Sequence, residues 1–205
     1  MYISNYNRNE NLEEVRSFIK ANSFGILLTS TDNKILGSHI PLELEEDMDG
    51  NEVIYGHISR ANDLLKEFDQ DKDEVLVIYN GPHAYISSSW YGHENVPTWN
   101  YIAVHVYGKL EIIDKKELKY ALSKLMNKYE SNMKNPQSME SLSDKTMRQI
   151  KGIIGFKISI NKIQAAYKLS QNRNEEDYDN LIQELGGSSN HMDQEVGKIM
   201  KEKRE

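Results

Sequence analysis

No cysteine occurs among the 205 residues, which excludes disulfides, thiolate metal sites and cysteine nucleophiles together. No apolar run approaches the roughly 18 residues needed to cross a bilayer, so no membrane span is expected. Met1 to Glu10 lacks the basic patch and apolar stretch of a secretory signal, and a cytoplasmic location follows as the expectation. An excess of cations is also lacking: 25 Lys and Arg stand against 32 Asp and Glu, a formal net charge of −7. Such a balance repels a polyanion at long range and disfavours a surface built for nucleic acid. The basic residues between Lys198 and Glu205 are mixed with carboxylates and read as a solvated helix end rather than a DNA-binding tail. Missing as well are a glycine-rich dinucleotide fingerprint, a P-loop, a G-x-S-x-G elbow and an H-E-x-x-H pair. The histidines at 39, 57, 83, 93, 105 and 191 show no metal-ligand spacing, so no metal site is expected.

What is present reads as strands interrupted by helices. Leu12, Val15, Phe18 and Ile19 recur at helical spacing behind Asn11, an N-cap with Glu14 three residues on. Phe24 to Thr29, Ile35 to Leu44 and Glu52 to Ser59 are rich in β-branched and aromatic residues and are separated by the turn-forming clusters 31–33 and 47–51. Ser59 to Asn62 then opens a short helix with Leu64, Leu65 and Phe68 on one side. Glu74 to Tyr79 is a fourth strand. Trp99 to Ile113 is a fifth, with Ile102, Val104, Val106, Leu110 and Ile112 on one face and Tyr101, His105 and Tyr107 on the other. Asp114 with Glu117 caps a helix striped by Leu118, Ala121, Leu122, Leu125, Met126 and Tyr129. A polar loop from Ser131 to Ser143 leads to a short helix around Met147 and Ile150, and Ile153 to Ile160 alternates again, with Ala165 to Leu169 continuing the sheet. Helices follow from about residue 174 to 205, the first stopped by Gly186-Gly187. Neither an internal repeat nor an interdomain linker is visible, so residues 1–205 are expected to form one domain. About six strands in hairpin order favour a small antiparallel barrel, mainly β with peripheral helices, over a parallel sheet.

Three stretches concentrate groups able to hold a ligand. Gly81 to Tyr91 and Val96 to Tyr101 bring Ser87, Ser89, Trp90, Thr98, Trp99 and Asn100 together within a short span. Rings supply stacking surface and hydroxyls supply directed hydrogen bonds, which suits a planar polar ligand, though a barrel corner with structural aromatics has the same composition. Tyr55 to Asn62 runs a strand into a helix carrying Ser59 and Arg60 at its mouth. Such a mouth holds a phosphate through free amides and a guanidinium; the alternative is an N-cap serine beside a surface arginine. Lys168 to Arg173 is again polar and basic just after a strand, and either closes a site or is a loop.

These residues resemble a known family. His39-Ile40-Pro41-Leu42, Gly56-His57 through Arg60-Ala61-Asn62, Gly81 through Tyr91, Val96 through Tyr101 and Lys168 through Arg173 look like the motifs of the PaiB family of FMN-binding negative transcriptional regulators, in order and over most of the chain. The resemblance implies an antiparallel split β-barrel of the FMN-binding pyridoxamine-phosphate-oxidase type, working as a homodimer with flavin at the subunit interface. On the matching positions it implies a cofactor site made of His39, His57, Ser59, Arg60, Ala61, Asn62, Ser87, Ser89, Trp90, Thr98, Trp99, Asn100, Lys168 and Arg173. The sequence departs from the family pattern at Ser88, where the family carries proline, and in the short segment 92–95; both departures bear on access to the flavin.

Three functions compete on this reading. The resemblance favours a flavin-bound regulator repressing sporulation and protease genes, either on DNA or through a protein partner. An FMN-dependent oxidoreductase is the alternative, in which His57, His83 and His105 are the available acid-base groups. A binding module for another planar ligand, such as haem, is the third.

Overall fold

The computed structural model describes residues 1–31, 34–67 and 74–204; the turn residues Asp32 and Asn33, the helix residue Phe68 and the terminal Glu205 lie outside the described residues. Among the described residues six strands, β1 (Phe24–Thr31), β2 (Lys34–Glu46), β3 (Glu52–Ser59), β4 (Glu74–Ile86), β5 (Thr98–Ile112) and β6 (Ile153–Lys168), are accompanied by five α-helices: α1 (Leu12–Ala21), α2 (Lys115–Glu130), α3 (Asp144–Met147), α4 (Glu175–Gly187) and α5 (His191–Glu202). The strands follow the order β1-β2-β3-β6-β5-β4 and close on themselves. Antiparallel pairs set the register, Leu42 opposite Gly56, Gly56 opposite Phe156, and Ile26 opposite Ile78 at the closing seam. Closure removes the exposed edges that an open sheet of this length would carry. The expected antiparallel barrel, mainly β with helices, is therefore observed.

Contacts divide the chain into two units, Ile19–Ile78 with Val106–Ile163, and Met1–Phe18 with Tyr79–His105 and Gln164–Glu205. In the first unit Leu27, Leu42, Leu44, Ile54, Val77, Val106, Phe156 and Ile158 are buried and fill the interior. β3 breaks strict alternation because Val53 and Tyr55, on its other face, are buried beneath Leu118 and Ile113. A strand covered on both faces reads as a continuous apolar run, as Val53-Ile54-Tyr55 does. Gly56 is required where it stands, since the Phe156 ring occupies the place of a side chain there. Asp114 accepts the Glu117 amide at 2.8 Å and caps α2 as expected. The turn after β2 is tied by Asp47, whose Oδ1 accepts the amides of Asp49 and Asn51 at 3.0 and 2.9 Å, with Gly50 at φ 85°.

In the second unit Tyr79, Ile86, Ile102, Val104, Leu169, Leu181, Leu185, Val196 and Met200 are buried. Asn11 accepts the amides of Glu13 and Glu14 at 3.1 and 3.2 Å at the head of α1, although Leu12 is exposed rather than part of the apolar stripe. Two further expectations are corrected here. β4 does not stop at Tyr79 but runs on to Ile86, because Pro82 sits half-exposed with no amide to satisfy while Ala84 and Ile86 turn inward. α4 ends at the glycines 186 and 187, as expected. On β5, Ile112 is exposed where alternation placed it with the buried face.

Candidate functional site

Within the first unit the predicted residues gather at the end of β3. Arg60 is pinned twice: its amide donates to Gly152 O at 3.0 Å and its Nε to Lys151 O at 2.7 Å. Ser59 Oγ accepts the Ala61 amide at 3.2 Å, and Asn62 bridges onward, accepting the Leu64 amide at 3.0 Å and donating to Ser38 Oγ at 3.1 Å. The expected helix mouth is different in kind. The element that follows is a 3-10 turn of five residues, Asp63–Glu67, its first amides are met by Asn62 rather than Ser59, and so short a turn aligns few peptide dipoles. What remains for an anion is the Arg60 guanidinium, which spends one of five donors on Lys151 O, with Ser59, Ser38 and Asn62 beside it.

His39 and His57 do not join that group. His39 is exposed on β2 opposite Ile26. His57 lies half-buried opposite Gly155 and lines a groove with Pro41, Leu118, Leu122 and Leu125 whose free space is about 10 Å³, far below a small-molecule pocket. Burial pushes the His57 imidazole below its ordinary pKa.

Within the second unit the predicted residues separate into three roles. Ser87 Oγ accepts the Ser89 amide at 3.3 Å and lies 2.8 Å from Ser89 Oγ, closing a short turn over Ser88–Trp90; the Trp90 carbonyl takes the Asn180 side chain, which fastens that turn to α4. Trp99 is 53% exposed and forms an open aromatic surface with Tyr85 and His83, ring centroids 5.8 and 6.1 Å away. Asn100, expected in the cofactor site, is fully buried, accepts Ser170 Oγ at 3.0 Å and donates to Met200 Sδ at 3.4 Å. Thr98, Lys168 and Arg173 line a polar hollow of about 130 Å³, and Arg173 lies over the Tyr91 ring at 4.9 Å. The short 92–95 segment is anchored by Asp177, which accepts the Gly92 amide at 2.8 Å and pairs with His93 at 3.3 Å.

Sequence reasoning missed several groups. Tyr6 shares the hollow with Lys168, Ser170 and Asn172, and the polar, tyrosine-bearing N-terminus was the signal for it. Glu43 is buried and takes Ser23 Oγ and Tyr129 OH on one oxygen, each at 2.8 Å, and Lys128 Nζ on the other at 2.6 Å. Nothing in a strand alternation marks a carboxylate that turns inward. Lys157 likewise joins Asp47 and Glu117 at 3.3 and 3.1 Å, and Tyr55 OH donates to Glu117 at 2.8 Å. Among the described residues no group of His, Asp and Glu has the arrangement of a metal site, and no helix is long and apolar enough to cross a membrane.

Comparison with known proteins adds identity to this geometry. A family model described as "Putative FMN-binding domain" matches residues 1–162. The Bacillus subtilis protein named "Protease synthase and sporulation protein PAI 2" is 45% identical over 204 residues, covering 99% of this chain and 98% of that one. Among solved structures, an FAD and heme binding protein from Mycobacterium smegmatis superposes with a TM-score of 0.62 at 12% identity, over 79% of this chain and 73% of its own. The flavocytochrome Anf3 from Azotobacter vinelandii gives 0.62 at 19% identity, over 87% and 78%. These two likenesses are of fold.

Proposed function

Since this chain belongs to the PaiB family of FMN-binding proteins and its cofactor is FMN, we propose that bound flavin underlies a regulatory role in sporulation and protease formation, with Ser59, Arg60 and Asn62 receiving the phosphate. The name of the Bacillus subtilis relative supports the role. Arg60 carries the placement: two hydrogen bonds to 151 and 152 fix its backbone and its Nε, so its remaining donors are presented at little further entropic cost. The donor set fits a phosphate, being one guanidinium with hydroxyls and an amide and no carboxylate among Ser38, Ser59, Arg60 and Asn62. FMN supplies hydride or single-electron transfer when bound. The residues named bind and orient it.

The exposed Trp99 and Tyr85, in contact with each other, also offer an apolar surface that a second copy would cover, and we read the active form as a homodimer. The experiment is a titration of FMN into flavin-free protein followed by its visible absorption, with light scattering on the same sample. Saturable binding at twice the chain mass of 23.7 kDa is expected. Absence of flavin binding overturns the reading, and bleaching of the bound flavin by NAD(P)H moves it to an FMN-dependent oxidoreductase.

A further inference from the structure

We propose that the helical stretch between β5 and β6, residues 113–152, is a docking surface for an acidic segment of a partner protein. The first observation is a segregation of charge. This stretch carries nine Lys and Arg against five Asp and Glu, a net +4 within a chain of −7, so the rest of the chain stands at −11. An asymmetry of that size marks a surface that meets the opposite sign.

The second observation is how the fold disposes of those charges. Lys124 and Lys128 are taken up by Glu45 and Glu43 of β2, at 2.8 and 2.6 Å. Lys115, Lys116 and Lys119 on α2, with Lys145 on α3 and Arg148 and Lys151 in the 3-10 turn Arg148–Gly152, are exposed and make no salt bridge among the described residues. Their neighbouring carboxylates are committed elsewhere: Asp114 accepts the Glu117 amide at 2.8 Å, Glu117 takes Tyr55 OH and Lys157 Nζ at 2.8 and 3.1 Å, and Glu130 takes the Gln137 amide at 2.9 Å. The two groups of cations stand on elements that pack together, because Ile150 lies against the same buried cluster around Leu118 as Ala121 and Leu122. The end of α5 is the contrast, since Lys203 and Arg204 there are held by Glu14 and Asp179. Lys115 and Lys116 also occupy the first turn of α2, where the helix dipole makes a cation unfavourable. An arriving carboxylate relieves that cost.

Screening decides between a protein partner and a nucleic acid. At physiological salt the field of a charge fades over about 8 Å, so a short acidic segment laid on this stretch feels its unpaired cations and little else. A duplex carries a charge roughly every 1.7 Å and runs on past the stretch into the field of the −11 remainder. The acidic segment is the occupant that fits. The inference rests on no property of the flavin, and Lys151, whose carbonyl holds Arg60, is left unaltered in its test.

The test is fluorescence anisotropy of a labelled octaglutamate peptide titrated with the full chain, with and without FMN, at low and at physiological ionic strength. The peptide should bind in both flavin states and more weakly at the higher salt. Joint replacement Lys115→Gln, Lys116→Gln and Lys119→Gln should weaken it by about fivefold, and Lys145→Gln with Arg148→Gln by about threefold. Arginine at the three α2 positions should keep the affinity. Lys198→Gln with Lys201→Gln on α5 removes the same charge as the second variant and should leave binding unchanged. The unfolding midpoint of the triple variant should stay or rise; if that variant does not fold, the Lys145 and Arg148 pair decides. Absence of peptide binding overturns the proposal, as does an equal loss in the α5 variant, which would reduce the effect to net charge. A random-sequence duplex that binds as tightly as the peptide overturns it in favour of nucleic acid, and release of FMN by the peptide does so by placing the peptide on Arg60. Failure of the flavin reading shows separately, as an absence of FMN binding, and the flavin-free titration still decides this one.

Discussion

Lys128 Nζ lies 2.6 Å from Glu43 Oε2, where the lysine side chain keeps 31% of its exposure and the glutamate only 6%. The pair ties the end of α2 to β2. Lys128→Met leaves a buried carboxylate with two hydroxyl donors and no counter-charge, and the partial exposure of the lysine limits the loss to about 1–3 kcal/mol. Denaturant unfolding is the measurement; a variant as stable as wild type would show the pair to be incidental.

Arg60→Ala should weaken FMN by about 1.5–3 kcal/mol, the usual worth of a hydrogen bond to a charged group, and leave riboflavin unchanged. Fluorescence titration with the two ligands separates the effects. A matching loss for riboflavin would remove Arg60 from the phosphate.

Trp99→Leu should abolish most of the quenching of tryptophan emission on FMN binding and cost about 0.5–1.5 kcal/mol of affinity. Trp90→Leu should leave the quench in place, since the Trp90 turn is fastened to α4 by Asn180. Quenching that disappears with Trp90 instead would reverse the two roles.

Burial holds the folded-state pKa of His57 below its ordinary value. The unfolded chain, with a histidine near about 6.5, then binds more protons than the native one between the folded pKa and that value. Stability must rise with pH through this window and flatten above it. Unfolding midpoints of wild type and His57→Gln, measured across mildly acidic pH, should differ in slope there. Parallel profiles would mean that the imidazole titrates alike in both states.

The isolated protein should show no tight, sequence-specific binding to promoter fragments at physiological salt, because a net charge of −7 opposes the neutralisation of several phosphates. A salt titration with unrelated DNA as competitor decides it. Specific binding near about 10⁻⁸ M would make repression direct rather than dependent on flavin chemistry or a partner.

Local rules explain how much could be read in advance. Asn11 and Asp114 cap their helices as their side-chain chemistry requires, and the alternation of Ile102, Val104 and Val106 marks an inward face without help from distant residues. Gly81 and Pro82 carry turn chemistry and so predict an early end for β4, whereas in the sheet Gly81 gives room to Phe18 and Ile102. The burial of Asn100 was not legible, because its partners Ser170 and Met200 stand seventy and a hundred positions away. Ser170 gave no sign at all, since a positive φ on a serine is set by Asn100 and by the turn's own carbonyls rather than by its identity. Glu43 is the same lesson in charge: three partners remote in sequence make an inward carboxylate tolerable.

β4, β5 and β6 each run unbroken from one compact unit into the other, so the second unit is assembled from three separate stretches of chain. No single cut releases it. A recombination event or a gene fusion cannot transplant the Lys168–Arg173 hollow without the strands that also build the barrel, and descendants of this chain can alter the one only by point changes made under the constraint of the other.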